Sequence, residues 1–201
     1  MLKINKTEEP SFHTDFKKRG NPKNWNDYDH AIKAELKEHM LTKEQESCCP
    51  YCERKIRSIN DSHIEHIEPK DRSSNFKDYY NMLTSCNGIT TCGNFKLNKF
   101  SEKFINPISE EPSKFLIHSI ESGKVMPLES LDDLGRSRAI YTVDTLNLND
   151  KQLVSERNKL NKELISIRLN NEEVFRDYLA YYLKDSQSFK SLIELHLDYC
   201  Q

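Results

Sequence analysis

The chain has 201 residues, 36% of them hydrophobic and 31% charged, so its length allows one ordinary domain or a small stapled domain beside a helical one. Its 30 basic and 32 acidic residues exclude a histone-like protein that binds nucleic acid through bulk charge. No apolar run approaches the ~18 residues of a membrane span, and residues 1–6 lack the apolar core of a signal peptide. We therefore expect a cytoplasmic protein that makes no membrane contact.

The first segment of the chain is polar and rich in residues that interrupt regular structure. Pro10, Gly20 and Pro22 fall within residues 1–24. Proline and glycine disfavour the interior of a helix. We therefore predict that this segment is extended.

A helix follows, and short elements come after it. Asn26 is a suitable N-cap for a helix over about residues 27–40. Apolar residues at a spacing of four form one stripe along it, namely Tyr28, Ile32, Leu36 and Met40. A strand is predicted at 63–67 and a helical stretch at 75–83.

Beyond about residue 105 the pattern changes to a small hairpin and then helices. Residues 115–120 and 124–126 flank Ser122-Gly123, which is typical of a β-hairpin turn. Helices are predicted over 131–146, after an Asn149 cap, after an Asn171 cap and over 189–197. Their apolar residues include Leu153, Leu160, Leu164 and Ile167, then Val174, Phe175, Tyr178, Leu179 and Tyr182. The change predicts two domains, 1–105 and 106–201.

Cysteine spacing carries the strongest chemical signal. Five of the six cysteines lie between residues 48 and 92, and thiols stay reduced in the cytosol, which favours a metal over disulfides. Two short-spaced pairs are typical of a tetrahedral zinc site, and here they are Cys49 with Cys52 and Cys86 with Cys92. Cys48 is then a spare thiol and Cys200 a packed C-terminal residue. The alternatives are small buried side chains or a redox C-x-x-C pair, although a redox pair normally opens a helix after a strand.

Between the two pairs lies a cluster of titratable side chains. The segment His63-Ile64-Glu65-His66-Ile67-Glu68 holds two histidines and two carboxylates. In a strand, His63 and Glu65 lie on one face and His66 and Glu68 on the other. A solvated surface strand is the alternative, but the flanking zinc ligands favour a catalytic site.

These motifs together resemble a known family. Cys49-x-x-Cys52, Glu65-His66-Ile67-x-Pro69, Asn81-Met82-Leu83, Cys86, Cys92 and Lys96 resemble the zinc-containing HNH endonucleases. His63-Ile64-Glu65-His66, Cys92-Gly93-x-x-Lys96, Ser122-Gly123-Lys124-Val125 and Thr145-Leu146-Asn147-Leu148-Asn149 are similar to the HNH subunit of Septu-type bacterial anti-phage systems and to related retron-associated proteins. The resemblance covers residues ~40–160.

The resemblance implies an α+β fold, with a ββα-metal HNH nuclease domain on a zinc knuckle and a mostly helical C-terminal domain. It implies a metal-dependent endonuclease that cleaves DNA as the effector of a bacterial defence complex. It also implies an ABC/SMC-type ATPase partner, and we expect residues 106–201 to dock it. The structural ion is expected to be zinc and the catalytic ion Mg²⁺ or Mn²⁺.

Site roles follow from the same resemblance. His66 is expected to be the general base and Glu65 a ligand of the catalytic ion. Asn81 is expected to hold the His66 loop through hydrogen bonds from its side chain to the backbone. Backbone phosphates are expected to contact Lys70, Arg72 and Lys96.

One position departs from the family pattern. A His or Asn usually follows the last cysteine and supplies a second ligand to the catalytic ion, but here that residue is Gly93. Asn94 and Asn87 are nearby alternatives. His63 is a further candidate ligand, or a partner that orients Glu65.

Two other functions remain open on sequence grounds. A non-catalytic zinc module that binds DNA or protein accounts for the cysteines but leaves Glu65-His66 unexplained. A ββα-metal ribonuclease accounts for both, since cleavage of RNA also uses a metal and a base.

Overall fold

The computed structural model describes residues 1–70, 75–184 and 187–198, which form a mixed α/β fold of two small antiparallel sheets and seven α-helices. The helices are α1 (Ser11–Gly20), α2 (His30–Lys43), α3 (Cys92–Lys96), α4 (Asp133–Leu146), α5 (Lys151–Asn170), α6 (Glu172–Lys184) and α7 (Lys190–Asp198). The strands are β1 (Ser62–His66) paired with β2 (Met82–Cys86), and β3 (Leu116–His118) paired with β4 (Val125–Pro127). Within these ranges, no helix has the length and apolar character to cross a membrane.

The N-terminal segment contains a helix, so the expectation of an extended chain is wrong there. Pro10 is the N-cap of α1 and has extended dihedral angles, while Asn21 ends the helix in the left-handed conformation. The interrupting residues therefore mark the ends of the helix and leave its interior intact. Tertiary contacts stabilise α1, since His13 Nε2 lies 3.0 Å from the hydroxyl of Tyr28 and the Phe16 ring packs on the Tyr28 ring.

Helix α2 begins three residues later than the sequence predicts. Asn24 caps a 3₁₀ turn at Trp25–Asp27 by accepting a hydrogen bond from the Asn26 amide. Asp29 then caps α2 by accepting one from the Ile32 amide. The predicted apolar stripe is confirmed as buried: Tyr28, Ile32, Leu36 and Met40 pack with Phe76, Tyr79 and Met82. This cluster fixes α2 against the sheet of β1 and β2.

The first sheet and the helix after it form a β1–β2–α3 unit. The strands pair antiparallel, with Ser62 opposite Cys86 and His66 opposite Met82. The helix predicted at 75–83 is wrong, because two 3₁₀ turns at Asn75–Lys77 and Tyr79–Asn81 lead directly into β2. Pairing with β1, which is distant in sequence, decides the conformation of residues 82–86 over any local helical preference.

In the second half of the chain the predicted hairpin and four helices are confirmed, with small shifts of their ends. Asp150 caps α5 where Asn149 was expected, because the Asn149 amide bonds to both the N–H and the carbonyl of Val125. The Asn149 contacts therefore join the hairpin to the start of α5. Asn171 caps α6 as predicted and accepts a hydrogen bond from the Val174 amide.

A single apolar cluster joins both sides of residue 105. It contains buried residues from the first half of the chain and from α4 to α7, including Cys49, Tyr51, Ile67, Leu83, Leu146, Leu160, Phe175 and Leu192. A buried carboxylate reinforces the contact, since Glu53 Oε2 accepts from the Ser191 amide at 2.9 Å and Oε1 lies 3.5 Å from His118 Nε2. The two-domain division stays a prediction, and this cluster runs across the predicted boundary at residue 105.

Replacing Glu53 is expected to weaken this contact in a pH-dependent way. Burial alone would raise the pKa of Glu53, but the ammonium group of Met1 and the ring of His118 hold this pKa well below its ordinary value. A carboxylate whose pKa is lower in the folded than in the unfolded protein stabilises the fold at pH values above its unfolded pKa of about 4.3. That stabilisation is lost as the pH falls through the folded pKa. Glu53→Gln should therefore cost about 3 kcal/mol of unfolding free energy at pH 7 and less in acid.

Urea unfolding over a series of pH values from about 7 downward measures this effect, because the loss is spread between the unfolded and the folded pKa of Glu53. Glu46→Gln is the control, because Glu46 pairs with Lys190 at an exposed site and should change stability by under about 0.5 kcal/mol. Equal losses of unfolding free energy in the two variants would show that the buried Glu53 contacts stabilise the protein no more than an exposed ion pair does.

Candidate active site

Four cysteines converge on one point beside the first sheet. The Sγ atoms of Cys49, Cys52, Cys86 and Cys92 all lie within 4.8 Å of one another, and all four residues are buried. The Sγ atoms of Cys52 and Cys86 are 3.7 Å apart. Four zinc–sulfur bonds of about 2.3 Å in a tetrahedron place the sulfur atoms about 3.8 Å apart. The cluster therefore fits a structural zinc ion, as the cysteine spacing predicts.

The electrostatics of the cluster favour a cation. Hydrogen bonds of the Cys92 thiol with the sulfur atoms of Cys49, Cys52 and Cys86, together with burial, hold the pKa of Cys92 well above its ordinary value. A divalent cation would replace these thiol protons by pairing with the thiolates. Cys48 lies outside the cluster and is the spare thiol expected, with burial raising its pKa to about 12. Cys200 lies outside the described residues.

Glu65 is fixed by a buried lysine from α3. Lys96 is fully buried, and its ammonium group donates to Glu65 Oε1 at 2.9 Å and to the His66 carbonyl at 3.0 Å. The expected phosphate contact by Lys96 stays a prediction, and in this structure the ammonium group is directed into the protein. The ion pair instead holds the Glu65 carboxylate at the rim of a cleft.

His66 is held in one tautomer by the loop that follows β1. Its Nε2 lies 3.1 Å from the carbonyl oxygen of Phe76, which can only accept, so Nε2 carries the hydrogen. Nδ1 is then the unprotonated nitrogen of the neutral ring. Burial lowers the pKa of His66 to about 4, so the ring is neutral at pH 7. The indole of Trp25 packs edge-on against the ring, with centroids 4.6 Å apart.

Asn81 joins the two ends of this loop. Its Oδ1 accepts from the Glu68 amide at 2.8 Å, and its Nδ2 donates to the Glu68 and Asn75 carbonyls at 3.0 and 3.3 Å. Asn81 itself is buried. These are the side-chain to backbone contacts predicted from the sequence, and they position the segment that carries the Phe76 carbonyl.

An open cleft of about 480 Å³ brings together five of the predicted site residues. Its lining includes His63, Glu65, His66, Lys70 and Asn94. The expected alternation along β1 is observed, since Glu65 contacts Lys96 of α3 while His66 packs on Trp25 beside α2. Both residues still line the same cleft. Arg72 lies outside the described residues, so its expected phosphate contact stays a prediction.

A comparison with known protein families finds one match, and it covers part of this site. Residues 49–88 match the HNH endonuclease family model. This HNH domain indicates a metal-dependent nuclease and agrees with the cysteine cluster as a metal site. The match includes Glu65, His66 and Asn81, and it ends before Cys92 and the rest of α3. A comparison with curated proteins gave no match.

Three features of the cleft were not predicted from the sequence. The contact of Trp25 with His66 joins residues that are distant in the chain and carries no motif. The Phe76 carbonyl is a backbone group, so no residue type in the sequence predicts its role. Asn87 orients His63, as described below, and its place after Cys86 was the only available signal.

Proposed function

We propose that the chain is a metal-dependent HNH endonuclease that cleaves DNA as the effector of a bacterial anti-phage complex with an ABC/SMC-type ATPase. The observation that carries the nuclease proposal is the pairing of two prepared groups in one cleft. Glu65 is held by Lys96, and His66 is fixed by the Phe76 carbonyl. A non-catalytic zinc module has no need of either arrangement.

The catalytic roles follow from the state of each group. His66 is neutral at pH 7 and has Nδ1 unprotonated, so it can accept a proton from the attacking water. Glu65 Oε2 is left for a hard cation, since Oε1 is bonded to Lys96. A divalent cation held there would supply positive charge to the scissile phosphate and the leaving oxygen. Asn81 acts as a positioning residue through the loop.

Lys70 supports contact with a nucleic-acid backbone. It is exposed and lines the same cleft as Glu65 and His66, whereas Lys96 is buried. An exposed ammonium group beside the reacting phosphate can pair with a neighbouring phosphate and hold the strand in register. The choice of DNA over RNA rests on the family resemblance.

A side-by-side digest tests that choice. The full chain, purified with zinc, is incubated with supercoiled plasmid or with a structured RNA of similar mass, in Mg²⁺ or Mn²⁺. We expect plasmid nicking and no comparable loss of RNA. Degradation of RNA with an intact plasmid would assign the ribonuclease function instead.

The ATPase partnership is supported by apolar surface on α5 and α6. Leu169, Val174 and Tyr181 are 82%, 54% and 63% exposed. Cleavage of a phosphodiester does not require exposed apolar side chains on these helices. Large exposed apolar side chains are frequent at sites of protein association. The buried residues of the same helices, such as Leu153, Leu164 and Phe175, belong to the core. Removing α5 to α7 would therefore disrupt the core, so point variants test docking better than truncation.

Capture of an ABC/SMC-type ATPase from the same bacterium measures docking. Leu169→Glu and Tyr181→Glu should each lower capture by about tenfold or more and reduce phage protection. Ile89→Glu is the matched control, because Ile89 is equally apolar and 87% exposed but lies in the HNH half. Full capture by both helix variants would place the docking surface elsewhere.

A further inference from the structure

A side chain at residue 93, at the start of α3, would meet the ends of two neighbouring side chains. A Cβ atom added to Gly93 would lie 2.5 Å from His63 Nε2 and 2.7 Å from Glu65 Oε2. Its backbone does not adopt a positive φ, so a larger residue is opposed by these two side chains, which would have to shift, and not by the backbone conformation. The place of the family's usual second ligand is thus filled by His63.

The ring of His63 has a defined orientation. Asn87 Nδ2 donates to the Asn60 carbonyl at 2.9 Å, so Asn87 Oδ1 is the atom that faces His63 Nδ1 at 3.1 Å. Because that oxygen can only accept, Nδ1 of His63 carries the hydrogen. Nε2 therefore has its lone pair free on the side of the ring that faces Glu65. A chain of this kind, from a carbonyl through an amide to the ring, is typical support for a metal-binding histidine.

Two free donor atoms then face each other. Glu65 Oε1 is bonded to Lys96, while Glu65 Oε2 lies 3.8 Å from His63 Nε2. Among the described residues, neither Oε2 nor Nε2 has a hydrogen-bond partner. Two metal–ligand bonds of about 2.1 Å each span up to about 4.2 Å, so one ion can bind both atoms.

We propose that His63 is the second protein ligand of the catalytic cation, supplied by β1 in place of the residue that normally opens the helix, and that Gly93 provides its space. This proposal rests on the proposed nuclease function. An imidazole beside a carboxylate favours a transition-metal ion such as Mn²⁺ over Mg²⁺, because Mg²⁺ prefers oxygen ligands alone. Asn94 is exposed at the rim of the cleft and has no comparable support.

Binding of Mn²⁺ to the zinc-loaded full chain tests the proposal without any activity measurement. Calorimetry should show that His63→Ala weakens Mn²⁺ binding by about tenfold or more, with a smaller change for Mg²⁺. Pulsed electron paramagnetic resonance of bound Mn²⁺ should show coupling to a histidine nitrogen in the wild type, and this coupling should be lost in His63→Ala. His30→Ala is the control, because His30 is exposed and lies outside the cleft around Glu65.

A double variant tests whether the histidine ligand can be moved from residue 63 to residue 93. Gly93→His alone should weaken Mn²⁺ binding, because its side chain meets His63 and Glu65. In the His63→Ala background the contact with the imidazole is gone and only the end of the Glu65 side chain has to shift, so the same substitution should restore Mn²⁺ affinity and the nitrogen coupling. A double variant no better than His63→Ala would overturn the exchange.

Two further outcomes separate this inference from the proposed function. Wild-type Mn²⁺ affinity and nitrogen coupling in His63→Ala, together with loss of binding in Glu65→Gln, would overturn the His63 assignment and leave the cation site standing. Unchanged binding in both variants would overturn the cation site itself. Weakened binding in Asn94→Ala, without an effect of His63→Ala, would assign the second ligand to Asn94.

Discussion

Replacing Cys49 with serine is expected to release the zinc ion and unfold the protein at room temperature. Structural zinc contributes an apparent ~10–16 kcal/mol to folding, which equals or exceeds the whole stability of a typical domain. The loss would spread beyond the knuckle, because Cys49 and Cys52 belong to the same apolar cluster as α4 to α7. Metal analysis and thermal unfolding of the purified variant measure both effects.

Cys48→Ser is the matched control for that experiment. Cys48 is the adjacent residue and is also buried, but its sulfur atom is not part of the four-cysteine cluster. The variant should keep one zinc per chain and lose only about 1 kcal/mol of stability. A metal-free Cys49→Ser protein that unfolds like the wild type would show that the cluster is not a structural zinc site.

His66→Ala is expected to lower the single-turnover rate of DNA cleavage by about 10²-fold or more, while the protein stays folded. The substitution removes the proton acceptor and leaves the Lys96–Glu65 pair intact. DNA affinity should persist, because phosphate contacts supply most of it. His39→Ala is a control, since His39 is half-buried and bonds to Thr7 outside the cleft. Full activity in His66→Ala would favour the non-catalytic zinc module.

The pH dependence of the wild-type rate provides a second measurement of His66. The base must be neutral to accept a proton, so the rate should fall as pH drops through the pKa of His66. Burial lowers that pKa to about 4, so this decline belongs well below pH 6. A decline centred near pH 6.5 would assign the base to an exposed histidine.

The four-cysteine cluster and the Glu65-His66 pair were predictable from sequence because both depend on local spacing. Two short-spaced cysteine pairs restrict the ligand set, and alternation along β1 separates the faces of its side chains. The apolar stripes of α2 and α5 were likewise visible, since burial of one helix face leaves a period in the sequence. These features belong to single segments of the chain.

What the sequence could not predict depends on contacts between distant segments. Lysine is usually a surface residue, and only the approach of α3 to β1 buries Lys96 against Glu65. Asn87 becomes the partner of His63 because the register of β1 and β2 places Ser62 opposite Cys86. Residues 82–86 form a strand for the same reason. Helix α1 was missed because Pro10 and Gly20 mark its ends rather than breaks within it.

Plasmid cleavage as a function of added metal tests the central claim most directly. The zinc-loaded full chain is incubated with supercoiled plasmid, with and without Mn²⁺ or Mg²⁺, alongside a folded Glu65→Gln variant that keeps its zinc. We predict nicking by the wild type only when the second metal is added, and none by Glu65→Gln. Cleavage at the wild-type rate by Glu65→Gln, or no change when the metal is withheld, would contradict the assignment of this cleft as a metal-dependent nuclease site.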